Sequence, residues 1–126
     1  MNAKSILSAE DNAANRKIIR DLFGKRGYRV IEALNGEQAV ELAKSEVPDL
    51  ILMDIQLPKM SGYEAAFAIK SEPSLHHIPI IAVTSYAFSG DEAKAYESGC
   101  DDYVAKPFRP RLLLEKVEQY LVEKDG

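Results

Sequence analysis

The chain reads as a doubly wound α/β domain, a five-stranded parallel sheet with helices on both faces. Three observations predict it. Strand-length apolar runs alternate five times with stretches of helical periodicity. The central runs are continuous, as in Leu50-Ile51-Leu52-Met53, a pattern expected of parallel strands buried on both faces. Strict strand–helix alternation, finally, requires right-handed crossovers that place helices on either side of one sheet.

Each element has its own signal. The first strand is expected at Ser5–Ala9, and the first helix at Ala13–Lys25, where Ile18/Leu22 and Ile19/Phe23 form an apolar stripe at i,i+4. Gly27 stands where that helix should end. A second strand follows at Arg29–Ala33, then a helix at Gly36–Lys44 opened by Asn35 with Gln38 at capping-box spacing. The third strand, Leu50–Met53, is bounded by Asp49 and Asp54, and the third helix, Gly62–Lys70, is opened by Ser61 with Glu64. The fourth strand is Ile80–Thr84, and the fourth helix Gly90–Ser98 begins at Ser89 with Glu92 and ends at Gly99. Asp102–Ala105 makes the fifth strand. Pro110–Glu123 makes the last helix, with Pro110 in the first turn, where its missing N–H costs nothing, and Leu113, Val117, Tyr120 and Leu121 as its apolar stripe.

The 126 residues suffice for one domain with one sizeable core, and there is no repeat, low-complexity tract or linker, so 1–126 is expected to be a single domain with no output domain. With 46% hydrophobic and 29% charged residues the mix is that of an ordinary globular protein. A net charge of −4 lacks the basic footprint of a nucleic-acid binder. No apolar stretch reaches the length of a membrane span. Met1-Asn2-Ala3-Lys4 leads into a strand and then acids, unlike a secretory signal, and Cys100 is the only cysteine, so a cytoplasmic protein is expected.

The chemistry lies at the carboxyl ends of the strands, the edge at which open α/β sheets bind ligands. Glu10-Asp11 follows the first strand, Asp54 the third, Thr84 ends the fourth, and Lys106 follows the fifth. Carboxylates about 4 Å apart repel by roughly 4 kcal/mol at an effective dielectric near 20, so such a cluster calls for a cation. Mg²⁺ suits it, since it takes hard oxygen ligands and needs only one or two carboxylates beside a phosphoryl oxygen. Asp11 and Asp54 are the expected direct ligands, the Gln56 backbone carbonyl a third, with Glu10 acting through water. Lys106 pairs with Asp54 when the site is empty and with a phosphoryl oxygen when it is loaded. Thr84 donates its hydroxyl to the same group, with help from the Ser85 or Ala87 N–H. Singly, each acid is more often a turn residue or cap, and Asp11 beside Asn12 could simply cap the first helix. The ordered conjunction of acids, threonine and Lys-Pro favours phosphoryl chemistry on a carboxylate nucleophile.

These segments, Glu10-Asp11-Asn12, Leu50 through Gly62, Ile78 through Ser85 and Gly99 through Phe108, resemble the receiver domain of bacterial two-component response regulators across essentially the whole chain, nearest to stand-alone DivK-like receivers. The resemblance implies a flavodoxin-like (βα)5 fold with strand order 2-1-3-4-5. It implies that Asp54 accepts a phosphoryl group from a histidine kinase or histidine phosphotransfer protein, that Glu10 and Asp11 hold Mg²⁺, and that Thr84 and Lys106 contact the phosphoryl group. It makes Tyr103 the aromatic switch, turning inward as Thr84 moves, and the Lys106-Pro107 bond cis. The fourth helix, fifth strand and fifth helix then form the readout face toward a downstream protein target, and a phosphorylation-dependent dimer is compatible with this.

Some residues depart from the family pattern. Ser8 replaces an aliphatic residue and needs a local hydrogen-bond partner. Ser85 stands where alanine is more common. Arg109 stands where a capping side chain is frequent, and with Arg111 it opposes the helix dipole by about 0.3–1 kcal/mol.

Four readings follow from the residues: a phosphorylation switch rather than a turnover enzyme, an aspartyl phosphatase, a flavin-binding module, and a receiver-like scaffold that takes no phosphate. A phosphatase commonly needs a second acid two residues after the nucleophile, and that position is Gln56. A flavin phosphate would meet Glu10-Asp11 in the loop after the first strand. The intact acid, threonine and lysine set argues against the inert scaffold. Tyr86 is expected to flank the path of a hydrolytic water and shield the acyl phosphate. His76 and His77 read as a surface loop, Cys100 as a small buried hydrophobe, and Met53 and Met60 as core and loop packing.

Overall fold

The computed structural model describes residues 3–84, 91–107 and 109–125. Along them run β1 (Ser5–Ala9), α1 (Ala13–Gly24), β2 (Arg29–Ala33), α2 (Gly36–Glu46), β3 (Leu50–Asp54), α3 (Gly62–Lys70), β4 (Ile80–Thr84), α4 (Asp91–Glu97), β5 (Asp102–Ala105) and α5 (Pro110–Asp125). The strands form one parallel sheet in the order β2-β1-β3-β4-β5, the flavodoxin-like arrangement.

Alternation along the buried strands divides the core in two. Leu7, Ala9, Ile51, Met53, Ile80 and Ala82 point to the face covered by α2, α3 and α4. Ile6, Leu50, Leu52 and Ile81 meet α1 and α5 through Ile19, Phe23, Leu113, Val117 and Leu121. The three central strands are buried along their whole length, which accounts for their unbroken apolar character. Edge strands β2 and β5 are only partly covered and carry polar residues.

Helix starts follow the sequence signals. The Asn35 side chain accepts from the Gln38 N–H at 2.9 Å, while Gln38 accepts from Leu34 rather than from the cap itself. Ser61 and Glu64 close a full capping box. α1 is capped by Asn12, whose Oδ1 accepts from the Asn15 N–H at 2.9 Å, and this leaves Asp11 free of the capping role. α2 runs on to Glu46 because its end carries no glycine signal, Val47 itself taking the left-handed conformation at φ 43°. Gly27 and Gly99 do adopt positive φ. The expected Ser89 cap lies outside the described residues.

Two expectations are corrected. Asp54 is the last residue of β3, in register with Val83, rather than the first residue beyond it. Ser8 is buried, but its hydroxyl has no hydrogen-bond partner among the described residues, so the expected local partner is not found. No helix among the described residues is long and apolar enough to cross a membrane.

Candidate functional site

Parallel register brings the carboxyl ends of four strands side by side: Ala9 lies beside Met53, Asp54 beside Val83, and Thr84 beside Ala105. The chain leaves each strand at this edge, so the residues that end the strands or follow them gather at one place.

Lys106 is the centre of it. Its Nζ lies 2.9 Å from Glu10 Oε1 and 2.9 Å from Asp54 Oδ2. Glu10 and Asp54 are 2% and 3% exposed, so their charges require partners, and the lysine serves both. The Gln56 N–H donates to Asp54 Oδ1 at 2.9 Å, which fixes the second carboxylate oxygen. The Asn12 N–H donates to Glu10 Oε2 at 3.1 Å. Asp11 is exposed, and one ligand atom each from Glu10, Asp11 and Asp54 lie within 4.8 Å of one another. Thr84 is buried at the end of β4, and its carbonyl accepts the Lys106 N–H at 2.7 Å. The Lys106-Pro107 peptide is cis.

The electrostatics follow from burial. Desolvation pushes the Glu10 carboxyl above the usual carboxylate range, and the charge of Asp54 adds to the rise, against the pull of the Lys106 hydrogen bond. For Lys106 desolvation acts downward, but hydrogen bonds to Asp54 and Glu10 outweigh it and raise the ammonium pKa. A cluster of hard carboxylate oxygens that already needs a cation to balance it fits Mg²⁺ in its donor chemistry.

Tyr103 lies on the edge strand, half-buried, with its ring edge-on to Tyr96 of α4 at 6.3 Å between centroids. A hydrogen bond to the Glu92 carboxylate leads the causes that raise its phenol pKa, so its hydroxyl is engaged by α4. The Gln56 side chain is exposed. Ser85, Tyr86 and Ala87 lie outside the described residues. The His76 ring lies on the loop before β4, its Nδ1 3.1 Å from the Lys70 carbonyl oxygen.

Two residues of the site were not anticipated. Arg16, in the first turn of α1, donates from Nη1 to the Glu10 and Asp11 carbonyls at 3.1 and 2.8 Å. A cation at a helix end that disfavours it was the available signal. Gly62 opens α3 against the site, where a Cβ would come to 2.2 Å of the Asp54 carbonyl oxygen, so only glycine permits this approach.

The family model for the response regulator receiver domain matches residues 6–118. The chain belongs to the response regulator receiver domain family. It is 45% identical over 118 residues to the polar-differentiation response regulator DivK of Brucella anthropi, covering 94% of this chain and 96% of that one. Among solved structures it is similar to the receiver domain of sensor histidine kinase PA1611 from Pseudomonas aeruginosa, with magnesium coordinated in its active-site cleft (36% identity, TM-score 0.88, 94% and 98% of the two chains). It is also similar to the receiver domain of Saccharomyces cerevisiae Ssk1, solved with the histidine phosphotransfer protein Ypd1 (33% identity, TM-score 0.85, 94% and 88% covered). Membership makes the protein a DivK-like receiver with a phosphoacceptor role in two-component signalling.

Proposed function

We propose that Asp54 is the phosphoacceptor and that the donor is a phosphohistidine on a histidine kinase or phosphotransfer protein. An Asp54 oxygen attacks phosphorus; the P–N bond breaks, and its electron pair returns to the imidazole. Lys106 moves its ammonium from Asp54 to a phosphoryl oxygen, and the Thr84 hydroxyl holds another. Glu10, Asp11, Asp54 and the Gln56 carbonyl would hold Mg²⁺, which neutralises charge as the phosphoryl group arrives. The observation that carries this reading is the single lysine bridging two buried carboxylates at 2.9 Å each, with Asp11 beside them. The magnesium in the cleft of the PA1611 receiver supports the metal, and the Ypd1 complex supports the class of donor.

The protein acts as a switch rather than a turnover enzyme, since Gln56 supplies no acid for a leaving group. Residues 1–126 form one cytoplasmic receiver whose output is a protein contact or onward phosphotransfer, without nucleic acid or membrane. Tyr103 is the switch residue, and the readout face is that of α4, β5 and α5. There a groove of about 300 Å³ is lined by Tyr103, Pro107, Arg109, Leu112 and Lys116, with Leu112 exposed. A phosphorylation-dependent dimer would use the same face. The test is labelling by a phosphohistidine donor with and without Mg²⁺: Asp54→Asn should abolish it, and undiminished labelling of that variant would remove the proposal.

A further inference from the structure

We propose that Arg16 is a positioning residue that sets the Glu10-Asp11 loop for cation binding; this rests on the magnesium reading above. The two acids sit on consecutive residues between β1 and α1, one buried and one exposed. Their side chains are presented correctly only if the two peptide planes that carry them are held. The Glu10 N–H is bound to the Ala33 carbonyl at 3.0 Å, which ties the loop to β2. The carbonyls of Glu10 and Asp11 lie beyond the last sheet bond, and one nitrogen of Arg16 binds both. The bond to Asp11 is the shorter, and Asp11 is the carboxylate with the least packing around it.

The placement is otherwise unfavourable. α1 has no acidic residue in its first turn, so a guanidinium there faces the positive end of the helix with no acid of that turn beside it. Hydrogen bonds from a charged donor to two carbonyls offset that cost. Asn12 completes the clamp: its side chain caps α1, its N–H holds Glu10 Oε2, and its carbonyl accepts the Arg16 N–H at 3.0 Å. Arg16 therefore fixes the acidic loop relative to the helix that follows it, and ordering that would otherwise accompany cation binding is already complete.

The sign of the effect distinguishes positioning from mere proximity. A cation near a Mg²⁺ site repels the metal, so loss of a bystander arginine would tighten binding. Loss of a positioning arginine weakens it. The experiment titrates the full chain with MgCl₂, following backbone amide shifts of Asp11 and Asp54, and measures amide hydrogen exchange of Asn12 in EDTA. Arg16→Ala should weaken Mg²⁺ binding about tenfold, the low end for a group acting through a metal ligand, and speed Asn12 exchange before any metal is added. Arg16→Met keeps the aliphatic stem, should behave alike, and carries the test if the alanine variant does not fold. Binding as tight as, or tighter than, that of the unsubstituted protein in a folded variant overturns the inference alone. Absence of Mg²⁺ binding by the unsubstituted protein overturns the reading of the site and this inference with it.

Discussion

Replacing Lys106 by methionine removes the one ammonium found between two buried carboxylates and keeps a side chain of similar length. Glu10, Asp11 and Asp54 each offer an oxygen within 4.8 Å of the others, and two unit charges at that distance repel by about 3.5 kcal/mol at an effective dielectric near 20. Removing one partner of a buried pair costs about 3–5 kcal/mol by the same physics. In EDTA near neutral pH the variant should therefore lose about 3 kcal/mol, a large share of the 5–15 kcal/mol typical of a domain. The loss should depend on pH with a defined sign. The Glu10 pKa is already raised in the folded protein, so its burial disfavours the fold as pH rises through that value, and acidification relieves it. The penalty in Lys106→Met must shrink as pH falls. Mg²⁺ should reverse the loss further, because the variant has no ammonium competing for the carboxylates; at a hundredfold excess over its dissociation constant a ligand stabilises by about 2.7 kcal/mol. Urea denaturation at two pH values, in EDTA and in MgCl₂, measures all of this. A loss below about 1 kcal/mol in EDTA, or a Mg²⁺ stabilisation no greater than in the unsubstituted protein, would refute the reasoning.

Two further substitutions or treatments test the core. Ser8→Ala removes a buried hydroxyl that has no partner among the described residues, so urea midpoints should show it neutral or stabilising by about 1 kcal/mol, and a clear loss would reveal a bond that the geometry does not contain. Cys100 is buried and its thiol is pushed up to about 12, chiefly by desolvation; the protonated form is favoured by the fold, a contribution complete below the unfolded pKa and lost as pH rises through about 12. At pH 8 only about one native thiol in ten thousand is then ionised, so a thiol reagent should modify Cys100 at the rate of unfolding, and rapid labelling of the folded protein would contradict its burial.

Most of the fold was legible because the signals were local and redundant. Continuous apolar runs marked the buried strands, and the polar edge strands were recovered from their position between helices. Ends were less legible. α2 outruns its expected end because Val47 takes a left-handed turn with no glycine to announce it, and the β3 boundary moved because Asp54, a charged residue, still pairs within the sheet. The convergence of Glu10, Asp11, Asp54 and Lys106 could be inferred because a parallel sheet places all carboxyl ends on one edge. The contacts of Arg16 could not, since they depend on the rotamer of a long side chain reaching back to backbone carbonyls, and no periodicity encodes that. Gly62 was visible as a helix start but not as a contact with Asp54, which needs the path of the chain between β3 and α3.

The charge count at the site explains why its parts belong together. Three carboxylates face one ammonium among the described residues, so the site is formally anionic before anything binds. A phosphoryl group approaching Asp54, the proposed acceptor, would bring more negative charge into the same volume. Lys106 carries a single positive charge and is already bonded to both Glu10 and Asp54, so it cannot by itself neutralise these two carboxylates and an incoming phosphoryl group. A divalent cation held by Glu10, Asp11 and Asp54 would balance the carboxylates and leave Lys106 available to the phosphoryl group. The Lys106 N–H, meanwhile, stays bound to the Thr84 carbonyl at 2.7 Å. The two residues proposed to hold the phosphoryl group are therefore joined through their backbones, so a displacement of Thr84 acts directly on the end of β5, the strand that also carries Tyr103.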